Sequence, residues 1–284
     1  MFRATTFREG STLLSTPDLP FAKPAGFLVR AVPGSFAFAL RQKRDESEPL
    51  SVPLAREQHA AYVQALRETG APVTLLPADE ACPDCCFIED TAVVLGRRAL
   101  VTRPGAPSRM KEVGPVRAVL DRTRDTFAMD APATLDGGDV LRIGGTLFVG
   151  LSSRTNYVGM AWAAEVAQLE GLTLVTVTGL GGLHLKSVCS LAKPGLVVYL
   201  RAGCDPKPFE QAGLECMPVP EPEGANVLAL GSTVLVSADA PRTAELLASR
   251  GLTVKTVRVS EFHRADGALT CLSLRLPPAG GWVT

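Results

Sequence analysis

The sequence predicts a mixed α/β fold in which five similar units close into a ring around a central cavity. Helix, glycine and strand recur in the same order along the chain, which indicates an internal repeat. Short polar clusters near positions 84, 136, 184, 226 and 266 lie about 40 to 52 residues apart. Repeats of that length are typical of radial architectures. If each unit begins its inner strands at the axis, the clusters meet in one cavity.

The repeats are visible as helix and strand pairs. Each pair has apolar residues at helical spacing, then a glycine, then a short apolar strand. They are predicted at 53–70 with 73–76, at 162–171 with 172–177, and at 241–251 with 254–259. Short strand pairs follow the polar clusters. They are predicted at 91–95 with 99–102, at 140–143 with 146–149, and at 227–229 with 233–236.

A doubly wound open sheet is the alternative arrangement of these elements. Such a sheet needs long crossovers between its parallel strands. The gaps Gly144-Gly145 and Gly231-Ser232 are instead short enough for hairpins. The hairpins favour the closed ring.

The chain is predicted to contain one large domain. Residues 1–25 include Pro17, Pro20 and Pro24 without sustained periodicity, so we expect an irregular N-terminal extension there. Residues 26–284 are expected to form a single α/β propeller domain that contains the active site.

Composition limits the class of protein. The chain is 46% hydrophobic and 20% charged, which allows a large core without a metal or disulfide. Its net charge is zero and its basic residues are dispersed, so no nucleic acid partner is expected. No apolar run reaches the roughly 18 residues of a membrane helix, so no membrane partner is expected. Seven cysteines, an odd number, fit reduced thiols, and a cytoplasmic location is expected.

Cys271 is the strongest candidate for a nucleophile. The run 271–276 alternates leucine with other residues, so period two places Cys271 on the polar face of a predicted strand. A small buried thiol with only a packing role is the alternative. Cys82, Cys85 and Cys86 are close in sequence, but no second Cys/His pair accompanies them, so no metal site is predicted.

His184 is the candidate general acid and base. It lies between two leucines and is expected to face away from the apolar side, although a structural histidine is the alternative. An imidazole can both give and take a proton at neutral pH. Asp136, in the run Asp136-Gly137-Gly138-Asp139, would orient the ring as the third member of a Cys, His, acid set. A simple turn at this run is equally compatible.

Acidic and basic side chains indicate the ligand. Glu89 and Asp90 are adjacent acids between apolar neighbours, and Asp84 shortly precedes them. A surface position is the alternative for such acids, but buried carboxylates need a cation, and a guanidinium would satisfy two of them by forked hydrogen bonds. Arg103 and Arg154 are candidates to bind a carboxylate of the same ligand, although most arginines lie at the surface.

Longer blocks carry a resemblance to a known family. They are 76–80 (LPADE), Pro83-Asp84, Glu89-Asp90, 100–109 (LVTRPGAPSR), 135–140 (LDGGDV), 148–156 (FVGLSSRTN), 183–187 (LHLKS) and the segment of Cys271. In order, from about Val29 to Leu276, the chain resembles dimethylarginine dimethylaminohydrolases of the guanidine-modifying (pentein) superfamily. The resemblance implies a five-unit α/β propeller with pseudo-fivefold symmetry around the active site.

The resemblance also implies a role for each matching residue. Its catalytic set is Cys271 as nucleophile, His184 as general acid and base, and Asp136 as the acid that orients the histidine. Its substrate contacts are Glu89 and Asp90 at the guanidinium, Asp84, Arg103 and Arg154 at the amino acid end, the backbone of Ala265, and a lid near Phe36. The segment 34–44 departs from the usual lid sequences of the family.

The implied reaction is hydrolysis of Nω-methylated L-arginine, either asymmetric dimethylarginine or monomethylarginine. The products would be L-citrulline and a methylamine, formed through a covalent Cys271 thiouronium. No cofactor or metal is implied, and the chain would act as a monomer or homodimer on this small molecule. Arginine deiminase, amidino transfer and a catalytically silent binding protein are the alternatives. The last is disfavoured by the intact set of five residues, Cys271, His184, Asp136, Glu89 and Asp90.

Overall fold

The computed structural model describes residues 24–42 and 49–278. The strands in these ranges form five three-stranded sheets. Most of the predicted extension 1–25 and the last six positions of the predicted domain lie outside these ranges. The strands are β1 (Gly26–Arg30), β2 (Val73–Leu76), β3 (Ala92–Val94), β4 (Arg98–Val101), β5 (Asp125–Ala128), β6 (Val140–Ile143), β7 (Thr146–Gly150), β8 (Thr173–Val177), β9 (Cys189–Lys193), β10 (Leu196–Tyr199), β11 (Glu215–Pro218), β12 (Leu228–Leu230), β13 (Thr233–Ser237), β14 (Thr253–Val257) and β15 (Leu274–Leu276).

The helices connect the strands within and between the sheets. They are α1 (Val52–Arg67), α2 (Val113–Leu120), α3 (Tyr157–Leu169), α4 (Leu185–Val188), α5 (Lys207–Gln211), α6 (Pro241–Ser249) and α7 (Ser260–His263). The predicted helix at 162–171 begins earlier, at Tyr157, because the Asn156 side chain caps it by accepting a hydrogen bond from the Gly159 amide over 2.8 Å. Within the described ranges, no helix has both the length and the apolar character required to cross a membrane.

All five sheets share one design. The middle strand is antiparallel to one neighbour and parallel to the other, as β4 is to β3 and β5. In four of these sheets a hairpin makes the antiparallel connection, and in all five a helix returns the chain for the parallel one. In the sheet β15-β1-β2, a strand from near the C-terminal end pairs with the first strand of the described chain. This pairing closes the ring, and the predicted five-unit propeller is confirmed.

The core consists of five apolar clusters, each of which joins two neighbouring sheets. Successive residues of a strand point to opposite faces, so each middle strand supplies both adjacent clusters. The residues that share a cluster across neighbouring sheets include Leu28 with Ala99, Leu100 with Leu147, Phe148 with Val197, Val198 with Val234, and Leu235 with Phe27. Because both faces of these strands are buried, their sequences are continuously apolar instead of alternating.

In every sheet a short helical turn precedes the outer strand that is antiparallel to the middle strand. The turns are Ile88–Thr91, Gly137–Asp139, α4, Pro222–Ala225 and Thr270–Leu272. Neighbouring turns pack on one another, which brings the polar clusters together. The prediction that Cys271 lies in an alternating strand is therefore wrong. Cys271 lies in the turn Thr270–Leu272, where its amide donates to the Ala268 carbonyl, and the strand begins only at Leu274.

Candidate active site

A cavity of about 140 Å³ lies where the turns meet. Of the ten predicted site residues, six line it: Asp84, Asp90, Arg154, His184, Ala265 and Cys271. Asp136 is fully buried behind His184, and Glu89 is buried beside the turn that carries Cys271. The structure thus brings together the thiol, the imidazole and the acids that the sequence singled out.

The His184 ring is fixed by Asp136. Nε2 of the ring lies 2.9 Å from Asp136 Oδ2, and both side chains are buried. The other oxygen, Asp136 Oδ1, accepts a hydrogen bond from the Gly105 amide over 2.8 Å, which holds the carboxylate in place. Such an acid fixes both the orientation and the tautomer of an imidazole.

Asp139, the second aspartate of the same run, supports the segments around the site. Its carboxylate accepts hydrogen bonds from the Leu185 amide over 2.9 Å, and from the hydroxyls of Ser152 and Thr155 over 2.6 Å each. Leu185 follows His184 directly. The run Asp136-Gly137-Gly138-Asp139 is therefore both a turn and a part of the site, since its first aspartate contacts His184 and its second holds the backbone next to it.

Charge at the site favours a protonated histidine. Burial alone would lower the pKa of His184, but the Asp90 carboxylate and the hydrogen bond to Asp136 outweigh it and raise the pKa to about 9. Burial would likewise raise the pKa of Asp90, yet His184 and Arg109 hold that pKa well below its ordinary value. At neutral pH His184 is therefore a cation that can donate a proton.

The arginine beside Asp90 is Arg109, the last residue of the block 100–109, for which the sequence predicted no role. Arg109 lines the cavity, and its Nη1 lies 2.5 Å from Asp90 Oδ2. Its Nε is 3.1 Å from both oxygens of Glu112, and its Nη2 donates to the Phe87 carbonyl over 2.8 Å. The turn Pro107–Glu112 directs this side chain inward.

Arg103, the arginine predicted to bind the substrate, does not line the cavity. Its Nη1 donates to the Ala133 carbonyl over 3.2 Å, and this contact draws the guanidinium away. Arg154 does line the cavity, as predicted. The second arginine that lines the cavity is therefore Arg109 and not Arg103.

The two adjacent acids already have cationic partners. Asp90 pairs with Arg109, and Glu89 forms an ion pair with the Lys186 ammonium. The other Glu89 oxygen accepts from the Thr270 hydroxyl over 2.7 Å. The expectation that both acids depend on a substrate guanidinium for charge balance is corrected, because protein cations provide that balance.

The lid also differs from the prediction. Phe36 is fully buried, with its ring centroid 5.5 Å from that of Phe262 and 6.1 Å from that of Phe87, so it belongs to the core and not to the cavity wall. Residues 40–42 line the cavity instead. The Leu40 amide donates to Asp84 Oδ1 over 2.9 Å and the Gln42 amide to Asp266 Oδ2 over 2.5 Å, and these two bonds hold the segment over the site. Positions 43 and 44 of the predicted lid lie outside the described residues.

The Cys271 thiol is buried and lines the cavity. Burial raises its pKa, and the nearby carboxylates of Glu89 and Asp90 raise it further. The thiol is therefore protonated at neutral pH in this state, and a cation placed beside it would favour the thiolate.

Among the residues that the structure describes, one set has the spacing of a cation site. Ligand atoms of Asp90, Asp136 and His184 lie within 4.8 Å of one another. All three side chains already bond within the protein, however, and the Arg109 guanidinium beside Asp90 repels a metal ion. The donor set therefore fits an acid and base assembly better than a metal centre.

Five repeated units around a buried cysteine, histidine and acid define a member of the pentein superfamily. No protein-family model matches the chain. Curated relatives do match it: an N(G),N(G)-dimethylarginine dimethylaminohydrolase of Streptomyces coelicolor is 41% identical over 81% of this chain and 89% of its own. The enzyme of the same name from Pseudomonas aeruginosa is 32% identical over 78% and 88%. The chain belongs to the dimethylarginine dimethylaminohydrolase family.

Solved structures agree with this assignment. A mutant of the P. aeruginosa enzyme complexed with citrulline aligns with TM-score 0.84 and 29% identity, and covers 89% of this chain and 100% of that one. A dimethylarginine dimethylaminohydrolase adduct with S-methyl-L-thiocitrulline aligns with TM-score 0.82 and 29% identity over 88% and 98%. The N-terminal domain of ArgZ, an arginine dihydrolase, shares the fold with TM-score 0.79 at 20% identity over 89% and 98%.

Proposed function

We propose that this chain hydrolyses Nω-methylated L-arginine to L-citrulline and a methylamine through a covalent bond to Cys271. The observation that carries the proposal is the meeting of Cys271, a protonated His184 and buried acids in one cavity. The citrulline complex and the thiocitrulline adduct of its relatives support the same chemistry.

The first half of the reaction follows from the charges at the site. A guanidinium bound beside Cys271 favours the thiolate, because its positive charge counters the effect of the Glu89 and Asp90 carboxylates on the thiol, and the thiol proton leaves to solvent. The thiolate attacks the guanidinium carbon, and the carbon–nitrogen bond to the methylated nitrogen breaks. The His184 imidazolium gives its proton to the departing methylamine. A thiouronium on Cys271 remains.

The second half reverses the role of the histidine. Neutral His184, still held by Asp136 over 2.9 Å, takes a proton from a water molecule. That water attacks the same carbon, the carbon–sulfur bond breaks, and citrulline and the thiol are released. One residue thus serves as acid and then as base.

The substrate contacts follow from the cavity wall. Asp84 and Asp90 provide negative charge, and Arg154 and Arg109 provide positive charge for the amino acid end. The backbone at Ala265 completes the wall. Because Arg109 is held by Glu112 and Asp90, Arg154 is the arginine with more freedom to bind a carboxylate directly.

The cellular setting is proposed on the state of the cysteines. All seven cysteines are free thiols, which fits the reducing environment of the cytoplasm. A monomer or homodimer that acts on a small molecule remains our expectation.

Product analysis tests the function against arginine deiminase. The full chain is incubated with asymmetric dimethylarginine or with arginine, and citrulline, dimethylamine and ammonia are measured. We expect equal amounts of citrulline and dimethylamine from the methylated substrate and little product from arginine. Citrulline and ammonia from arginine at comparable efficiency would instead identify a deiminase.

A further inference from the structure

Four buried polar residues form a closed ring of hydrogen bonds next to Cys271. The Lys186 ammonium pairs with Glu89 Oε1, and the Thr270 hydroxyl donates to Glu89 Oε2 over 2.7 Å. Asn226 closes the ring: its Nδ2 donates to the Lys186 carbonyl over 2.7 Å and to the Thr270 hydroxyl over 3.0 Å. Its Oδ1 accepts from the Thr270 amide over 3.0 Å. We call these four residues the lysine ring.

The lysine ring joins four of the five repeats. Glu89 lies in the turn Ile88–Thr91, and Thr270 lies in the turn Thr270–Leu272. Lys186 lies in α4, and Asn226 follows the turn Pro222–Ala225. Asn226 belongs to the polar cluster near position 226, which the reaction above does not use. Thr270 directly precedes Cys271, so the ring fixes the backbone that carries the thiol.

A buried lysine is a costly way to fill this space. Removing an ammonium from water is unfavourable unless a counter-charge and further hydrogen bonds compensate. Lys186 is nonetheless buried, with Glu89 as its counter-charge. Two apolar side chains in place of Lys186 and Glu89 would pack here without that cost, which points to a role for the charges themselves.

The charge acts on the thiol. Burial raises the pKa of Cys271, Glu89 and Asp90 raise it further, and Lys186 opposes them. Other ionisable groups near the thiol or near Glu89 are Tyr62, Arg275, His184 and Arg109. Among the carboxylates, Glu89 raises the pKa of the thiol most, and Lys186 is the cation that forms an ion pair with Glu89.

We propose that Lys186 is a positioning residue for Cys271, which neutralises Glu89 beside the thiol and, through Asn226, holds Thr270 in place. The inference rests on the proposed role of Cys271 as the nucleophile. Lys186 does not contact the reacting atoms; its own charge offsets that of Glu89 at the thiol, and Glu89 in turn accepts a hydrogen bond from the hydroxyl of Thr270, in the turn that carries Cys271.

Alkylation of Cys271 by iodoacetamide, an uncharged reagent, tests the charge effect. The rate is measured at about pH 8 on the folded full chain by mass spectrometry of the Cys271 peptide. Lys186→Met should slow alkylation about tenfold, since one pKa unit is a tenfold change in thiolate. Glu89→Gln should accelerate it, and the double variant should return close to the original rate. Lys186→Arg, which keeps the charge, should react close to the original rate.

A matched control uses the Lys255–Glu68 pair, where the same two residue types meet at the surface. Lys255→Met should react at the original rate. A folded Lys186→Met protein that is alkylated as fast as the original chain overturns the proposal. So does a double variant that is as slow as Lys186→Met alone, because the Glu89 charge would then not be the charge that Lys186 offsets at the thiol.

If Lys186→Met does not fold, as judged by circular dichroism, Glu89→Gln is compared with the double variant. Loss of Lys186 must then slow alkylation, and equal rates overturn the proposal. The alkylation assay contains no methylarginine, so its result does not depend on turnover. If the chain failed to release citrulline in the separate product assay, that failure would count against the proposed function without deciding the role of Lys186.

Discussion

Gly138 leaves no room for a side chain between the histidine and its neighbouring acid. Its amide donates to Asp90 Oδ1 over 2.8 Å. A Cβ added at this position would lie 2.8 Å from His184 Nδ1 and 2.9 Å from Asp90 Oδ1, whereas ordinary contact begins at 3.4 Å. Gly138→Ala therefore forces the imidazole to retreat by about 0.6 Å. The ring cannot turn freely, because Asp136 holds its other nitrogen.

The size of the effect follows from that displacement. A misplacement of about 1 Å can cost about a hundredfold in rate, so about 0.6 Å should lower kcat roughly tenfold. The assay is steady-state citrulline formation from asymmetric dimethylarginine. Gly145→Ala is the matched control, since it lies in the hairpin between β6 and β7 and a Cβ there meets nothing within 4 Å.

Denaturant unfolding of both variants separates catalysis from stability. We expect Gly138→Ala to remain folded under assay conditions and to lose activity, while Gly145→Ala keeps its kcat. An unchanged kcat in folded Gly138→Ala would refute the reasoning. A loss of activity that matches the unfolded fraction would also refute it.

Three further predictions concern the pKa of His184, the arginine that binds the substrate carboxylate, and the buried imidazole of His59. Asp136→Asn removes one of the carboxylates that raise the pKa of His184 to about 9, so the pKa of His184 should fall and the alkaline limb of the kcat–pH profile should move to lower pH. An unmoved limb would argue against this pairing. Arg154→Lys should raise KM about tenfold, as expected for a lost bidentate contact worth about 1.4 kcal/mol, while Arg103→Lys should leave it unchanged; equal effects would restore Arg103 to the site. Burial lowers the pKa of His59 to about 4, so its contribution to stability is complete above about pH 6.5 and is lost as the pH falls toward 4. His59→Gln should remove up to about 3 kcal/mol of that pH dependence in urea unfolding, and an identical profile would contradict the assignment.

The repeats of the fold could be predicted because local signals mark them. Helix-ending glycines such as Gly70 and Gly171, both with positive φ, and the short hairpin at Gly144 stand in the sequence itself. The pairing of β15 with β1 has no such signal. It joins segments at opposite ends of the chain, and only the closure of the ring requires it.

The site was predictable in its residue types more than in its geometry. Alternating leucines after Cys271 suggested a strand, but period two cannot distinguish a strand from a short turn that leads into one. Arg103 and Arg109 stand in the same block, and only the course of the turn Pro107–Glu112 decides which one reaches the cavity. Phe36 packs in the core because aromatic neighbours surround it, which no local pattern reveals.

The release of citrulline and dimethylamine by a cysteine variant tests the central claim most directly. Cys271→Ser is compared with Cys216→Ser, which changes a half-buried thiol that does not line the cavity. We expect Cys271→Ser to lose both products while it keeps the fold, and Cys216→Ser to release them in equal amounts at the original rate. Continued release of citrulline and dimethylamine by Cys271→Ser would contradict a covalent mechanism at this cysteine.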